Sequence, residues 1–498
     1  MDEQRSVRYK LKKQPLASER EEIKNKKHHR NALILSIIVF LLVGFLAGFV
    51  YGVGRNSGAF VIGSQDTNAV KSEMINEYFK EAWLYGDDYE NLSETMSEQA
   101  FHGMTFFKDD PYTTYQSNKE MNDFASAINM NFVGIGVSYT MSDDVPTITR
   151  VFKDAPAEKA GLMPGDVLIA VDGKNLEGLT TEEIKELVIG KEDTLVKVSV
   201  NRQGQELVFD IFRGPVDSTV YGYELDGIPV LNIMSFGEKT HDECIKYLDG
   251  FTESDRLIID LRDNSGGYQT AVEDIAGLFL PKDSLVMRVV DKHDDEVVSY
   301  VRGKKFYDNF EEIAILINGN TASAAEVLTM SLVEQHPNAY TVGETSYGKG
   351  VVQTTIPLFD GSALKLTTSK WLSPKGVWIN GVGIAPDFEV LKHPALYETY
   401  WAMEDGEEYA VDSVSEFVRL ASLGLDYLDY PVEREDGYFD ESLAIAIEMF
   451  QNDHHAAVTG VLDKETYRMI VSAITKTYAM DVDKDVQMQT ALDIIQGE

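Results

Sequence analysis

The sequence is poor in the residues on which several common catalytic sites depend. Its 498 residues include one cysteine, Cys244, and nine histidines. A single cysteine cannot form a disulfide within the chain, so folding does not depend on the redox compartment. Cys244 lies in the amphipathic stretch HDECIKYL, which predicts a packed thiol on a helix rather than a reactive one. No H-E-x-x-H pair occurs among the histidines, and none of them forms a recognisable metal site.

A Ser-His-Asp triad is disfavoured for a similar reason. Only three histidines fall in the central region, namely His241, His293 and His336. His293 lies in the charged run DKHDDE, and His336 directly precedes a proline. No G-x-S-x-G elbow accompanies any of them.

Positive charge is also scarce. The chain has 45 Lys and Arg against 82 Asp and Glu, which gives a formal net charge of −37 and a pI of about 4.6. Such a chain repels the phosphate backbone, so nucleic acid is excluded as the expected partner. The balance is typical of an acidic secreted or surface protein.

The basic residues are concentrated at the N-terminus, ahead of an apolar run. Residues 1–31 carry ten Lys and Arg against five Asp and Glu, and residues 32–53 carry no charge. The run is long enough to span a bilayer, and the basic flank predicts a cytoplasmic N-terminus. Residues 54–69 are predicted to be a short tether. A cleavable signal peptide is the alternative interpretation of the apolar run.

Two regions follow with different periodicities. Residues 70–130 alternate in helical periods and predict a small helical cap, in which no residues have catalytic spacing. Residues 131–213 change to short strands and turns, with FVGIGVSY and AEKAGLMPGDVLIAVDG as the most specific segments. This second region resembles a PDZ domain. The resemblance implies that Gly134, Ile135 and Gly136 hold the terminal carboxylate of a peptide that adds a strand to the sheet edge.

Residues 316–353 hold a serine and a lysine in a setting typical of nucleophilic catalysis. An apolar strand ends in a small-residue turn, and Ser323 follows at the start of an apolar helix. Lys349 lies between two glycines, and Gln353 follows in an extended run from which it could direct the amine. A lysine buried beside a serine loses its proton more readily and can accept the serine proton. A helix N-cap is the alternative role for Ser323, and a surface loop residue for Lys349.

The glycines around Lys349 also fit the first part of a phosphate-binding loop. Gly343, Gly348 and Lys349 match G-x-x-x-x-G-K, but Gly350 stands where that loop requires Ser or Thr, and a strand-like run follows. A nucleotide site is therefore not predicted.

A glycine pair follows the strand LIIDL. The segment RDNSGG ends in Gly266 and Gly267, which can expose backbone N–H groups to a developing oxyanion. An ordinary tight turn is the alternative.

Together these segments, with DGSALKLTTSKWLSP and NGVGIAPDFEV, resemble the carboxyl-terminal processing (tail-specific) serine proteases over residues 70–475. The resemblance implies that Ser323 is the nucleophile, that Lys349 is the general base and that Gln353 orients it. It also implies an oxyanion hole formed by Ala324 and one glycine N–H group, for which Gly266 is preferred over Gly267. No cofactor and no metal are implied.

The C-terminal part is helical again. Residues 411–475 contain DGYFDESLAIAIEMFQ and TGVLDKET and resemble a peptidoglycan-binding domain of three helices, with a dimerising helical bundle as the alternative. Residues 476–498 are predicted to be a polar helical tail without an assigned role.

The sequence thus predicts a multidomain chain with one transmembrane helix, a helical cap, a β-rich PDZ-like domain, an α/β mixed-sheet protease core over 214–392 and a small all-α C-terminal domain. The expected function is that of a serine endopeptidase in the cell membrane. Its catalytic part lies outside the cytoplasm and cleaves proteins at exposed C-terminal tails, and peptidoglycan and a homodimer are candidate partners. Two alternatives stay open, a non-catalytic scaffold of the envelope and a hydrolase of cell-wall peptides.

Overall fold

The computed structural model describes residues 64–142, 145–202, 204–303 and 305–497. The chain divides into two units, Met1–Ser97 and Glu98–Glu498. The first unit contains helix α1 (Ser64–Ala82), a 3-10 turn at Gly86–Asp88 and the first residues of helix α2 (Leu92–Thr105). No helix in the described ranges combines the length and the apolar character needed to cross a bilayer. The span predicted at 32–53 lies outside those ranges.

The second unit is centred on a six-stranded sheet. Its strands are, in spatial order, β10 (Val220–Leu225), β11 (Ile228–Ile233), β12 (Arg256–Asp260), β15 (Glu312–Ile317), β16 (Ala339–Gly343) and β19 (Phe388–Glu389). All neighbouring pairs are parallel except β10 with β11. Strands β12 and β15 are apolar because both faces of a mostly parallel sheet are covered.

Helices cover one face of this sheet. They are α6 (Thr240–Leu248), α7 (Gln269–Phe279) and α8 (Ala324–Gln335). Alternate side chains of the strands, such as Ile259 and Ile315, pack in one cluster with residues of these helices. Cys244 lies in the same cluster and is fully buried, as predicted, and burial raises the pKa of its thiol.

A second sheet is antiparallel and carries strand β18 (Ala363–Leu372) at its centre. Its other strands are β1 (Thr114–Gln116), β13 (Leu285–Asp291), β14 (Glu296–Tyr300) and β17 (Val351–Pro357). Strand β1 comes from the predicted cap region, which also forms helix α3 (Asn118–Ile128). The cap region therefore contributes a strand that its helical periodicity does not predict.

The PDZ-like region forms a separate sheet with its own core. The strands are β3 (Val137–Ser142), β4 (Val145–Val151), β5 (Val167–Val171), β6 (Lys174–Asn175), β7 (Leu195–Arg202) and β8 (Gln205–Phe212). Two helices complete it, α4 (Pro156–Ala160) and α5 (Thr181–Val188). Strands β2 (Phe132–Gly134) and β9 (Gly214–Val216) pair where the chain enters and leaves this region.

The C-terminal region contains the three predicted helices, α9 (Glu416–Tyr427), α10 (Glu441–Asp453) and α11 (Lys464–Met480), and a short pair of strands, β20 (Glu408–Tyr409) and β21 (Leu462–Asp463). Their buried residues form one cluster. Helix α11 also contacts the PDZ-like sheet, since the Ser472 hydroxyl donates a hydrogen bond of 2.6 Å to the carbonyl of Gly165. Gly165 has φ +85°, and an added Cβ would lie 2.5 Å from the Ser472 carbonyl oxygen.

The helical character predicted for residues 476–498 is confirmed, and the segment also packs on the central sheet. Helix α11 extends to Met480, and helix α12 (Val486–Gln496) covers the second face of the central sheet. Met488 and Leu492 pack against the alternate strand residues, among them Ile258 and Leu316. The polar positions of the tail face outward or hold it in place, so its composition hides the apolar stripe.

We expect Leu492→Ala to lower the free energy of unfolding by about 2–5 kcal/mol, because it leaves a cavity under the sheet. Leu492 is 2 % exposed. Asp493→Ala, on the exposed side of the same helix, should change the free energy of unfolding by less than about 0.5 kcal/mol. Denaturant unfolding monitored by circular dichroism measures both. Equal stability of the two variants would contradict the packing of α12 on the sheet.

Candidate active site

Three loops at one edge of the central sheet carry the residues that the sequence singled out. The glycine turn follows β12, Ser323 follows β15, and Lys349 follows β16. These three strands are parallel neighbours, so their carboxyl ends lie side by side at the edge where α/β proteins bind ligands. The order of strands therefore brings together residues that are distant in the chain.

Ser323 occupies the N-cap position of α8 in a strained backbone conformation. Its φ is +56° and its ψ is −117°, a region that non-glycine residues rarely adopt. Such strain costs about 1–3 kcal/mol and is found mostly where function requires it. Ser323 thus stands at the helix N-cap and also lines the cavity described below, so the N-cap position does not exclude a role as nucleophile.

One buried carboxylate connects Ser323 to Lys349. Glu326 is 0 % exposed and accepts hydrogen bonds from the backbone N–H groups of Ser323, at 2.8 Å, and of Lys349, at 2.9 Å. It also accepts from the Gly348 N–H, at 2.6 Å, and from the Ser346 hydroxyl, at 2.5 Å. Four donors on two loops converge on one side chain. Glu326 therefore fixes the backbone of both candidate residues relative to each other.

Lys349 is half-buried beneath an aromatic ring. Its Nζ lies 5.0 Å from the centroid of the Tyr112 ring. Burial lowers the pKa of the Lys349 amine below its usual value, while the Glu326 carboxylate acts in the opposite direction. Burial is the larger cause, so the neutral amine is more accessible than in an exposed lysine. Glu344, the other acidic residue nearby in the sequence, instead accepts a hydrogen bond from Gln487.

Gln353 lies on β17 in the same cavity as Lys349 and Ser323. Its side-chain N–H donates a hydrogen bond of 2.7 Å to the backbone carbonyl of Tyr112. This bond fixes the amide group, so that its nitrogen points to Tyr112 and its oxygen is left for another donor. Tyr112 thus contacts both Lys349 and Gln353.

Tyr112 is held by the residues that precede and follow it. The Asp110 carboxylate accepts from the backbone N–H of Tyr112, at 3.2 Å, and from the hydroxyls of Thr113 and Thr367. Burial, followed by a hydrogen bond to Tyr347, raises the pKa of the Tyr112 hydroxyl to about 12. The segment before β1 is therefore fixed on β18 and covers the lysine.

The glycine turn lies directly against Ser323. Gly266 has φ +105°, and an added Cβ would be 2.8 Å from the Cβ of Ser323 and 3.0 Å from the Ala324 nitrogen. Its N–H already donates to the Asn264 side chain at 2.8 Å. The N–H groups of Gly267 and Ala324 have no acceptor among the described residues. Gly266 thus allows the close approach, whereas Gly267 and Ala324 offer the unpaired donors.

One cavity of about 700 Å³ is lined by the six candidate residues Gly266, Gly267, Ser323, Ala324, Lys349 and Gln353. Its walls are largely apolar and include Phe132, Phe152, Met287, Val327 and Trp371.

The predicted peptide-carboxylate residues lie where the chain enters the PDZ-like sheet. Gly134 ends β2, and Ile135 and Gly136 connect it to β3. Gly136 has φ +82°, and an added Cβ would overlap that of Ala155 at 2.3 Å. Strand β3 pairs only with β4 and is therefore an edge strand. This is the arrangement that strand addition by a peptide requires.

Sequence reasoning missed Glu326 and Tyr112. Glu326 had a local signal, since S-x-x-E before an apolar run is a capping-box pattern in which the acid bonds back to the N-cap. Tyr112 had none, because its contacts with Lys349 and Gln353 depend on the long-range pairing of β1 with β18.

Three protein-family models match segments of this chain. Peptidase family S41 matches residues 227–390, a PDZ domain matches residues 147–202, and a putative peptidoglycan binding domain matches residues 415–470. Among solved structures, the photosystem II D1 C-terminal processing protease is 21% identical, with a TM-score of 0.41, over 66% of this chain and 94% of that chain.

Two curated relatives cover most of the chain. A probable CtpA-like serine protease of Staphylococcus haemolyticus is 33% identical over 87% of this chain and 86% of its own length. The carboxy-terminal processing protease CtpB of Bacillus subtilis is 33% identical over 80% of this chain and 84% of its own length. The chain therefore belongs to the carboxyl-terminal processing serine proteases of peptidase family S41.

Proposed function

We propose that this serine peptidase cleaves peptide bonds with Ser323 as the nucleophile and Lys349 as the general base. The observation that carries the proposal is the Glu326 carboxylate, which accepts from the backbone N–H groups of both residues. With both in one cavity at the sheet edge, the amine can take the serine proton without a diffusional step.

The proposed reaction proceeds through an acyl-enzyme. The Lys349 amine accepts the Ser323 proton as Oγ bonds to the peptide carbonyl carbon, and the resulting ammonium protonates the leaving amine as the C–N bond breaks. Water then bonds to the acyl carbon as the neutral amine accepts its proton, and the ammonium returns that proton to Ser323 Oγ as the acyl–oxygen bond breaks. Gln353, anchored on Tyr112, offers its side-chain oxygen to the amine and orients it.

The oxyanion hole is proposed to consist of the N–H groups of Ala324 and Gly267. Both lack an acceptor in the described part of the chain, whereas the Gly266 N–H would first have to release Asn264. Each such donor contributes about 3–4 kcal/mol of transition-state stabilisation. Gly266 acts by its lack of a side chain, which allows the turn to approach Ser323.

We further propose that the PDZ domain selects flexible C-terminal tails. The edge strand β3 and the turn at Gly134, Ile135 and Gly136 support this, since strand addition supplies affinity and backbone N–H groups hold the carboxylate.

The location of the enzyme follows from the N-terminal sequence. The basic tail and the apolar run at 32–53 support a single membrane anchor with the catalytic part outside the cytoplasm. The C-terminal domain matches a peptidoglycan-binding family over 415–470, which supports the cell wall as a further ligand. A homodimer is a proposal of the same kind, suggested by the exposed apolar residues of α1, such as Ile75 and Tyr78.

Incubation of the protein with a peptide that ends in a flexible apolar tail tests the proposed function. We expect the wild type to cut the peptide and Ser323→Ala to reduce turnover by at least about 10³-fold, because the nucleophile is lost. Ser331→Ala is the matched control on the same helix, since its hydroxyl donates to the Val327 carbonyl at 2.6 Å and not to the cavity. Chromatography of the products measures the rates. Comparable losses in both serine variants would contradict the assignment.

A further inference from the structure

The cavity that holds Ser323 and Lys349 is lined by more basic than acidic side chains, although the protein is strongly acidic. The ionisable side chains of Asp, Lys and Arg that line it are Arg150, Asp263, Lys349 and Lys365, three basic groups and one carboxylate. The whole chain carries a net charge of −37. A peptide backbone is neutral, so the reaction itself does not require this excess of positive charge.

Lys365 is the cation that the proposed reaction does not use. It lies on β18, where it is paired with Thr355 of β17 and Thr114 of β1. Its Nζ lies 3.8 Å from the centroid of the Phe124 ring, and both residues line the cavity. The aromatic face holds the ammonium group at a fixed place in the wall.

No aspartate or glutamate of the described residues forms an ion pair with Lys365. Burial lowers the pKa of Lys365 to about 8, and the positive charge of Lys349 acts in the same direction. A partly buried ammonium without a counter-ion is unfavourable, so an anion that enters the cavity would be bound with a gain in free energy.

We propose that Lys365 binds a carboxylate of the substrate peptide in the active-site cavity, either the terminal α-carboxylate or an acidic side chain. The proposal deepens the proposed function and rests on it, because it assumes that the cavity binds peptides. It makes Lys365 a specificity-determining residue, which favours peptides with a negative charge at this position over neutral ones.

The same strand provides a matched control. Lys370 also lies on β18 and rests on an aromatic ring, with Nζ 5.8 Å from the centroid of Trp378. Its side chain is not among those that line the cavity. Lys365 and Lys370 thus share a strand, partial burial and an aromatic neighbour, but only Lys365 lines the cavity.

Residue-resolved acetylation of the full-length Ser323→Ala variant tests the proposal. Three peptides of one apolar sequence are added at saturation: a neutral amidated peptide, the same peptide with a free terminal carboxylate, and an amidated peptide with one glutamate. The protein is then treated briefly with acetic anhydride at about pH 8, where the Lys365 amine is partly neutral. Mass spectrometry measures the acetylation rate of each lysine.

We expect at least one carboxylate peptide to slow acetylation of Lys365 about tenfold more than the neutral peptide does, since a charge-assisted hydrogen bond holds the amine protonated. Lys370 should react at the same rate with all three peptides. The peptide that slows acetylation of Lys365 identifies whether the bound carboxylate is terminal or belongs to a side chain. Because the acetylation rate is measured at Lys365 itself, binding of a terminal carboxylate to the PDZ domain does not produce the same signal. Equal protection of Lys365 by neutral and charged peptides would overturn the proposal.

Rescue by charge gives a second reading. If the glutamate-containing amidated peptide protects Lys365 from acetylation, it should bind the Ser323→Ala protein more tightly than the neutral amidated peptide does. Adding Lys365→Met to Ser323→Ala should remove this difference in affinity. Adding Lys365→Arg or Lys370→Met should retain it. Retention of the preference in Lys365→Met would also overturn the proposal. None of these measurements requires bond cleavage, so their failure is distinguishable from failure of the proposed reaction, which shows in wild-type turnover.

Discussion

Replacing Lys349 by alanine is expected to reduce turnover of a tail peptide by at least about 10³-fold, because the general base is lost. Lys349→Arg should be nearly as inactive, since a guanidinium stays protonated and cannot accept the serine proton. Peptide binding should remain in both variants. Steady-state kinetics on one tail peptide measures the effect.

A control on the neighbouring strand separates this role from a general loss of positive charge. Lys370→Ala removes a lysine of similar exposure that does not line the cavity, and its turnover should stay within about threefold of the wild type. An arginine variant with more than about a tenth of wild-type activity would exclude Lys349 as the base.

The role of Lys349 as general base determines how turnover depends on pH. The active form is the neutral amine, so kcat/KM should rise with pH through the ionisation of Lys349 and fall as pH is lowered through it. Burial lowers the pKa of Lys349 below its usual value, and the Glu326 carboxylate acts in the opposite direction.

The second large effect is expected at Glu326. Glu326→Ala leaves four donors without an acceptor: the N–H groups of Ser323, Gly348 and Lys349 and the Ser346 hydroxyl. Removing one partner of a buried, charged hydrogen-bond network costs about 3–5 kcal/mol, so the thermal unfolding temperature should fall by several degrees. Turnover of the folded protein should fall by about 10²-fold or more, because the two loops lose their common anchor.

Glu326→Gln should lie between the wild type and the alanine variant, since an amide keeps one acceptor oxygen and replaces the other by a donor. Glu311→Ala is the control, because Glu311 is exposed and its side chain makes no hydrogen bond among the described residues. Calorimetry together with peptide turnover measures both consequences. An alanine variant as stable and as active as the Glu311 variant would show that the carboxylate does not organise the site.

The part of the site that follows from chain order could be predicted from the sequence. Ser323 and Lys349 each follow an apolar strand, and parallel strands place their carboxyl ends at one edge of a sheet. The glycine turn was recognisable because consecutive glycines permit positive φ and close approach. The choice between Gly266 and Gly267 was not, since it depends on the Asn264 side chain, which takes up one of the two N–H groups.

The contributions that were missed depend on long-range packing. Tyr112 reaches the lysine because β1 pairs with β18, and strand register of this kind is not encoded in local periodicity. The packing of helix α12 was hidden by the polar composition of the predicted helical tail, although Met488, Ala491, Leu492 and Ile495 form a helical stripe that fits the second face of the sheet.

Covalent trapping of the nucleophile tests the central claim most directly. A peptide phosphonate forms a stable bond with an activated serine, and peptide mapping by mass spectrometry locates it. We predict one adduct per chain, on Ser323, in the wild type and a rate of adduct formation at least about 10³-fold lower in Lys349→Ala. An adduct on another residue with loss of activity, or equally fast labelling of Ser323 without Lys349, would contradict it.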